Sequence, residues 1–136
     1  MCLLKIYSDN ESFASFAKTT EVPVYSISEK GDYKNEAKKI VNEDYKISFD
    51  VSDKEWDDLK GQVGDAILFL EKHFEELNIL LSTHNISNAY LDFPIYSRLD
   101  KNIVNQNDHL PKALIVLAGK LCIGIEIAIY SKNAFD

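Results

Sequence analysis

The stretch NAYLDFPIY, residues 88–96, alternates. In an extended chain Ala89, Leu91, Phe93 and Ile95 share one side and Tyr90, Asp92, Pro94 and Tyr96 the other, the period-2 signature of a strand with one buried face. IGIEIAIY, residues 123–130, repeats the pattern, with Ile123, Ile125, Ile127 and Ile129 opposite Glu126 and Tyr130. Two strands therefore present carboxylate and tyrosine on the side away from an apolar face. That side reads as a wet sheet surface, as a binding surface, or as a catalytic carboxylate pair.

Outward from these strands, CLLKIYS (2–8) alternates in the same way, with Cys2, Leu4 and Ile6 on one face. Ser8 or Asp9 offers an N-cap for a short helix through Lys18, with Phe13, Phe16 and Ala17 as its inner stripe. VPVYSIS (22–28) predicts a second strand, and Pro23 near its start places it at a sheet edge. A polar, turn-prone stretch around Gly31-Asp32 joins it, as a long irregular hairpin, to a third strand over YKISFDV (45–51). Ser52 and Glu55 form an S-x-x-E capping box that predicts a helix start. From there Trp56, Leu59, Val63, Ile67, Leu70, Phe74, Leu77 and Leu81 recur at steps of three and four, one apolar stripe through residue 81. A straight helix of roughly 30 residues would run ~45 Å, beyond the ~30–35 Å breadth of a compact domain this size, so Gly61 and Gly64 are expected to mark a bend. An Asn-rich connection (97–109) leads to an apolar helix from Leu110 to Leu121, with Pro111 in its first turn.

The order β-α-β-β-α-β-α-β predicts an α+β fold: an antiparallel-rich sheet with helices on one face, built as a ferredoxin-like βαββαβ core plus an added αβ unit. The open face would gather Lys5, Tyr7, Lys46, Ser48, Asp50, Tyr90, Asp92, Tyr96, Glu126 and Tyr130. At 136 residues with 46% hydrophobic content, the chain suits a single domain over 1–136 with a core of its own.

Twenty-two acids against 15 Lys and Arg give a formal charge of −7, which argues against nucleic acid and anionic membrane as partners. Residues 53–76 concentrate the excess, and Asp57, Asp58, Glu75 and Glu76 are the candidate contacts to a basic protein. An acidic, merely solubilising helix face is the plain alternative. Cys2 and Cys122, without CxxC spacing, read as buried free thiols, and the N-terminus shows no signal-peptide pattern. Both point to the cytoplasm. ALIVLAGKLCIGIEIAI is interrupted by Lys120 and Glu126 and reads as helix then strand, not as a membrane span.

Lys30-Gly31-Asp32, Tyr45 opening the third strand, the long amphipathic helix and the terminal LCIGIEIAIY together resemble the small bacterial domains of domain-of-unknown-function family 4279, over about Val22 to Tyr130. The resemblance implies an α+β fold and no catalytic residues.

No phosphate loop, dinucleotide fingerprint or nucleophile elbow occurs, and His73, His84 and His109 have no metal-site spacing, so neither metal nor cofactor is expected. Leu68, Phe69, Ile79 and Leu80 lie off the main helical stripe, which allows a homodimer or a partner contact unless the last helix buries them. The reading is a non-catalytic acidic protein-binding module, of an inhibitor or immunity type. The competing reading is a small-ligand binder or enzyme that uses Tyr90, Asp92, Glu126 and Tyr130.

Overall fold

The structure, a computed structural model, describes residues 1–135. Its strands are β1 (Cys2–Ser8), β2 (Val24–Ser28), β3 (Tyr33–Asn35), β4 (Ile40–Val41), β5 (Tyr45–Ser52), β6 (Asn88–Tyr96) and β7 (Gly124–Tyr130). Its helices are α1 (Ala14–Thr19), α2 (Leu59–Lys72), α3 (Phe74–Thr83) and α4 (Lys112–Leu121). The chain is an α+β protein. One sheet runs β2-β5-β1-β6-β7, and β3 and β4 pair separately within the long β2–β5 connection. All neighbours in the large sheet are antiparallel except β6 and β7. The small β3–β4 sheet and the β7 edge are additions to the four strands β2-β5-β1-β6. The parallel β6–β7 pair needs a crossover, which residues 97–123 and α4 supply.

The alternation read from the sequence is what sorts the faces. Leu4, Ile6, Ile47, Phe49, Leu91 and Phe93 all point to one side and are fully buried. Helices α2, α3 and α4 cover that side with Val63, Ala66, Leu70, Leu77, Leu80, Leu114, Ala118 and Leu121, which join the strand residues in one core. The edge position of β2 agrees with its Pro23 signal, and its Tyr25 and Ile27 are exposed. β7 is the other edge, and its apolar side is covered less toward its end: Ile123 just before it is buried, Ile125 and Ile127 are half-buried against the core, and Ile129 is 58% exposed.

Several local expectations give way to tertiary demands. Ser52 opens no helix. It is the last residue of β5, and its buried hydroxyl donates to Asp65 Oδ2 at 2.7 Å. The helix starts at Leu59, capped by Asp58, whose Oδ1 accepts from the Gly61 N–H at 2.8 Å. Trp56 therefore lies outside the helix. The break in the long stripe falls at His73 (φ −106°, ψ 14°), between α2 and α3, and not at either glycine. Ser8 caps no helix either. Its hydroxyl accepts from the Glu11 N–H, and α1 begins six residues later. Phe69 and Leu80 belong to the core, which leaves Leu68 and Ile79 exposed. Cys122 is exposed, not buried, and sits in the left-handed region (φ 56°) that ends α4.

The two glycines of α2 differ in what surrounds them. A Cβ at Gly61 would collide with the Asp58 carboxylate, whereas one at Gly64 would meet nothing within 4 Å. Gly64→Ala is expected to raise stability by about 0.5–1 kcal/mol in urea unfolding. Gly61→Ala should show no such gain, because the same propensity benefit displaces a cap worth ~1 kcal/mol.

Candidate functional site

β6 is longer than the strand beside it, and that mismatch builds the most distinctive surface of the molecule. The β1–β6 pairing ends at Leu3 and Asp92, so Phe93–Tyr96 run on with β7 on one side and no β1 partner on the other. Backbone groups left there unpaired would cost free energy. The turn between β5 and α2 fills the gap. The Tyr96 N–H donates to Trp56 O at 3.1 Å. Gln62 Nε2, on buried Gln62, donates both to Pro94 O at 2.9 Å and to Glu55 O at 3.1 Å. Pro94, which has no N–H to offer, is tolerated because β1 pairing has ended there and no ladder partner calls for one, while Gln62 meets its carbonyl.

Held in this way, the turn Asp53-Lys54-Glu55-Trp56-Asp57-Asp58 projects a tryptophan toward the open side of the sheet. Trp56 stacks on Tyr130 (centroids 4.8 Å apart, planes at 25°) and packs against Tyr96 and Phe135, each at 5.3 Å. Phe135 is 68% exposed. Asp53, Glu55, Asp57 and Asp58 are exposed around this aromatic group and take part in none of the salt bridges among the described residues. Two of the four predicted partner contacts, Asp57 and Asp58, thus lie here. Glu75 and Glu76 do not. They sit beyond α2 at the start of α3, ~21 Å of helix away, beside Glu21, Glu71 and His73. Glu76 accepts from the Thr20 hydroxyl at 2.8 Å. Partial burial and the Lys72 charge keep His73 below the ordinary histidine value.

The other predicted set, Tyr90, Asp92, Glu126 and Tyr130, does share the open face. Asp92 stands directly beside Glu126 in the β6–β7 register, and Tyr96 beside Tyr130. Asp92 is nevertheless committed: Lys5 Nζ binds its Oδ2 at 2.7 Å, with both side chains about four-fifths buried. Burial pushes the Lys5 ammonium down, but the Asp92 hydrogen bond and charge outweigh it and hold Lys5 above its ordinary value. Lys5 also lies over the Tyr90 ring and Lys46 over the Tyr7 ring, and the two tyrosine hydroxyls are 3.4 Å apart. Burial, then the Tyr90 contact, raises the Tyr7 phenol. Asp92 Oδ1 and Ser48 Oγ are buried without a partner. This side of the sheet is a lattice of long side chains packed on one another, with those two oxygens left unmatched. Surface cavities of 320 to 660 Å³ open elsewhere on the molecule, and Tyr90, Asp92, Glu126 and Tyr130 line none of these.

The largest of these cavities, about 660 Å³, opens beside the acidic turn. Leu59, Val63 and Ile67 of α2 form one wall with Gly64. Arg98 and the segment Asn107–Pro111 form the other, and Asp57, Asp58 and Lys60 lie at the rim. Trp56, Gln62 and this cavity escaped the sequence reading. The available signal was a lone tryptophan amid four acids, with Asp58 as a second N-cap candidate behind Ser52. No group of His, Cys, Asp and Glu suited to a metal occurs among the described residues, and no helix is long and apolar enough to cross a membrane. No family model, no curated protein and no solved structure matches the chain.

Two substitutions test the construction of this surface. Gln62→Leu keeps the bulk but strands the Glu55 and Pro94 carbonyls, so it should cost about 1–3 kcal/mol in urea unfolding. It should also shift the emission of Trp56, the sole tryptophan. On the sheet, Lys5→Met leaves a largely buried carboxylate alone and should cost about 1–3 kcal/mol. Adding Asp92→Asn should recover part of that loss, and a strictly additive double mutant would mean that the pair is not coupled.

Proposed function

We propose that the chain is a non-catalytic binding module for a basic protein, of the inhibitor or immunity type, and that it meets its partner through the turn 53–58. The observation that carries this reading is the coincidence of Trp56, stacked on Tyr130 and Tyr96, with the exposed carboxylates of Asp53, Glu55, Asp57 and Asp58. Aromatic side chains on a fixed backbone are the commonest anchors of protein interfaces. Unpaired carboxylates around them speed encounter with a cationic surface and reject anionic ones. Chain charge of −7 adds to the same field. Free thiols at Cys2 and Cys122 suit a reducing compartment such as the cytoplasm. The resemblance to family 4279 assigns no activity, so the reading rests on this surface alone.

The chain, immobilised, should retain a basic protein from a lysate of its own cell, and the isolated complex then allows kinetics. Reversal of Asp53, Glu55, Asp57 and Asp58 to Lys should slow association at least about tenfold, as should raised salt on the unaltered chain. Trp56→Ala should mainly speed dissociation. An acidic partner, or an on-rate indifferent to salt and to the reversals while Asp92→Asn and Glu126→Gln abolish binding, would move the site to the open sheet face.

A further inference from the structure

The cavity beside the turn has a shape and a charge pattern of its own. Leu59, Val63 and Ile67 follow one another at four-residue steps on α2, so their side chains form an apolar strip ~12 Å long. Their inner surfaces pack on the core, which fixes them. The facing wall is equally fixed. The Arg98 N–H donates to Gln106 Oε1 at 2.8 Å, the Arg98 guanidinium donates to Asp108 Oδ1 at 2.8 Å and to Asn107 O at 3.3 Å, and Gln106 Nε2 donates to Asp108 Oδ2 at 2.8 Å. Both walls are thus pre-organised, which lowers the cost of binding.

The polar groups around the cavity are unequally committed. Arg98 is held by Asp108, and the Gly61 N–H at the helix start is already taken by Asp58 Oδ1. These are the groups that would draw an anion, and both are partly engaged: the Gly61 N–H is taken, and the half-exposed Arg98 guanidinium gives one nitrogen, Nη2, to Asp108 and Asn107. Asp57, by contrast, makes no hydrogen bond or salt bridge among the described residues, and the second carboxylate oxygen of Asp58 is also unengaged. Lys60 and His109, both exposed, complete the polar lining, Lys60 on a flexible stem that can swing aside. An apolar strip leading to uncommitted carboxylates matches a side chain with an aliphatic stem and a cationic head. The volume of about 660 Å³ lies within the usual range of ligand sites and exceeds one side chain, which leaves room for the residues flanking it.

We infer that this cavity is the socket for an arginine or lysine side chain of the partner, its stem along Leu59, Val63 and Ile67 and its charge at Asp57 and Asp58. The assignment rests on the basic-partner reading above and gives it an anchoring point. Arginine has the advantage of a planar fork that can bridge two neighbouring carboxylates.

The probe is Nα-acetyl-arginine-N-methylamide, titrated into the full chain and followed by amide chemical shifts. Its uncharged counterpart is the norleucine derivative. The arginine probe should shift the amides of residues 59–67 and 107–110 with millimolar affinity, and the norleucine probe should bind at least about tenfold more weakly. Two variants keep the fold while altering the site. Asp57→Asn with Asp58→Asn removes the charge and retains a residue that caps as well as aspartate. Gly64→Leu fills the cavity from an open helix position, and Gly64→Ala leaves it clear. The Asn pair and Gly64→Leu should each weaken the arginine probe at least about tenfold, and Gly64→Ala should not. Equal binding of norleucine, shifts confined to other residues, or a Gly64→Leu variant that binds normally would overturn the assignment. Should the partner's on-rate follow salt and charge reversal while the probe leaves residues 59–67 unshifted, the socket alone is wrong. Should the probe bind here while the partner proves acidic, the basic-partner reading fails and the cavity stands.

Discussion

The surface depends on one mismatch of length: β6 extends past the end of β1, and on that side Pro94 and Tyr96 need hydrogen-bond partners that no strand supplies. The chain meets that need with the turn 53–58 and one buried amide. Gln62 reaches both the turn and the strand, through Glu55 O and Pro94 O, and Trp56 O takes the Tyr96 N–H. The Met1 ammonium donates to Lys54 O at 3.2 Å and ties the N-terminus to the same turn. Once residues 53–58 are spent as a substitute strand, the helix cannot begin before Asp58. Trp56 is turned out of the helical stripe and onto Tyr130. The first turns of α2 are left to wall a cavity instead of sealing against α4.

The open sheet face shows the opposite economy. Its central charges engage one another, with Lys5 on Asp92 and each lysine over a tyrosine ring, while Glu126 and Asp50 stay exposed. Neutralising partners in this way costs side-chain freedom but lets a polar face stay dry enough to protect the sheet hydrogen bonds beneath it. Small residues on β7 stand beside large ones on β6: Gly124 beside Tyr90, and Ala128 beside Pro94. A Cβ on Gly124 would lie 3.5 Å from the Tyr90 Cβ, which is ordinary contact. The pairing therefore sets the packing of Tyr90 without demanding glycine. Features that look like a carboxylate pair in sequence are here part of the wall.

What was legible in the sequence was periodic and local. Strand alternation in β1, β5 and β6 and the three-four spacing from Leu59 to Leu81 each follow from burying one face, and each can be read within a dozen residues. Helix starts were harder because Ser52, Asp53, Asp57 and Asp58 are all cap-forming types. The S-x-x-E pattern favours the first of these, but strand β5 claims Ser52, and only the need to cover β6 decides in favour of the last. The break at His73 has no composition signal in EKHFEE. The cavity was illegible for a different reason: its walls come from residues about 40 positions apart, joined by a connection whose fold depends on Arg98 finding Asp108. Cys122 was misread as buried because its neighbours are apolar, although the chain turns there through a left-handed residue that leaves the thiol outside.

Acid content alone does not choose between the two ends of the helical layer. Both carry several exposed carboxylates, and both would raise the rate of encounter with a cationic surface by similar amounts. Rate is not affinity, however, and the residence time of a complex depends on groups that lose their water in the interface. At the α2–α3 junction Glu76 is already occupied by Thr20, and the rings nearby, His73 and Phe74, are half-buried in the fold. At the other end Asp57 is unengaged, Asp58 gives one oxygen to its cap, Phe135 is exposed beside the half-buried Trp56, and an apolar cavity opens within a residue or two of them. On the proposed reading of a basic partner, steering and anchoring therefore coincide at the turn 53–58. That coincidence follows from the strand mismatch, because the same substitution of turn for strand that exposes the acids also sets the tryptophan among them.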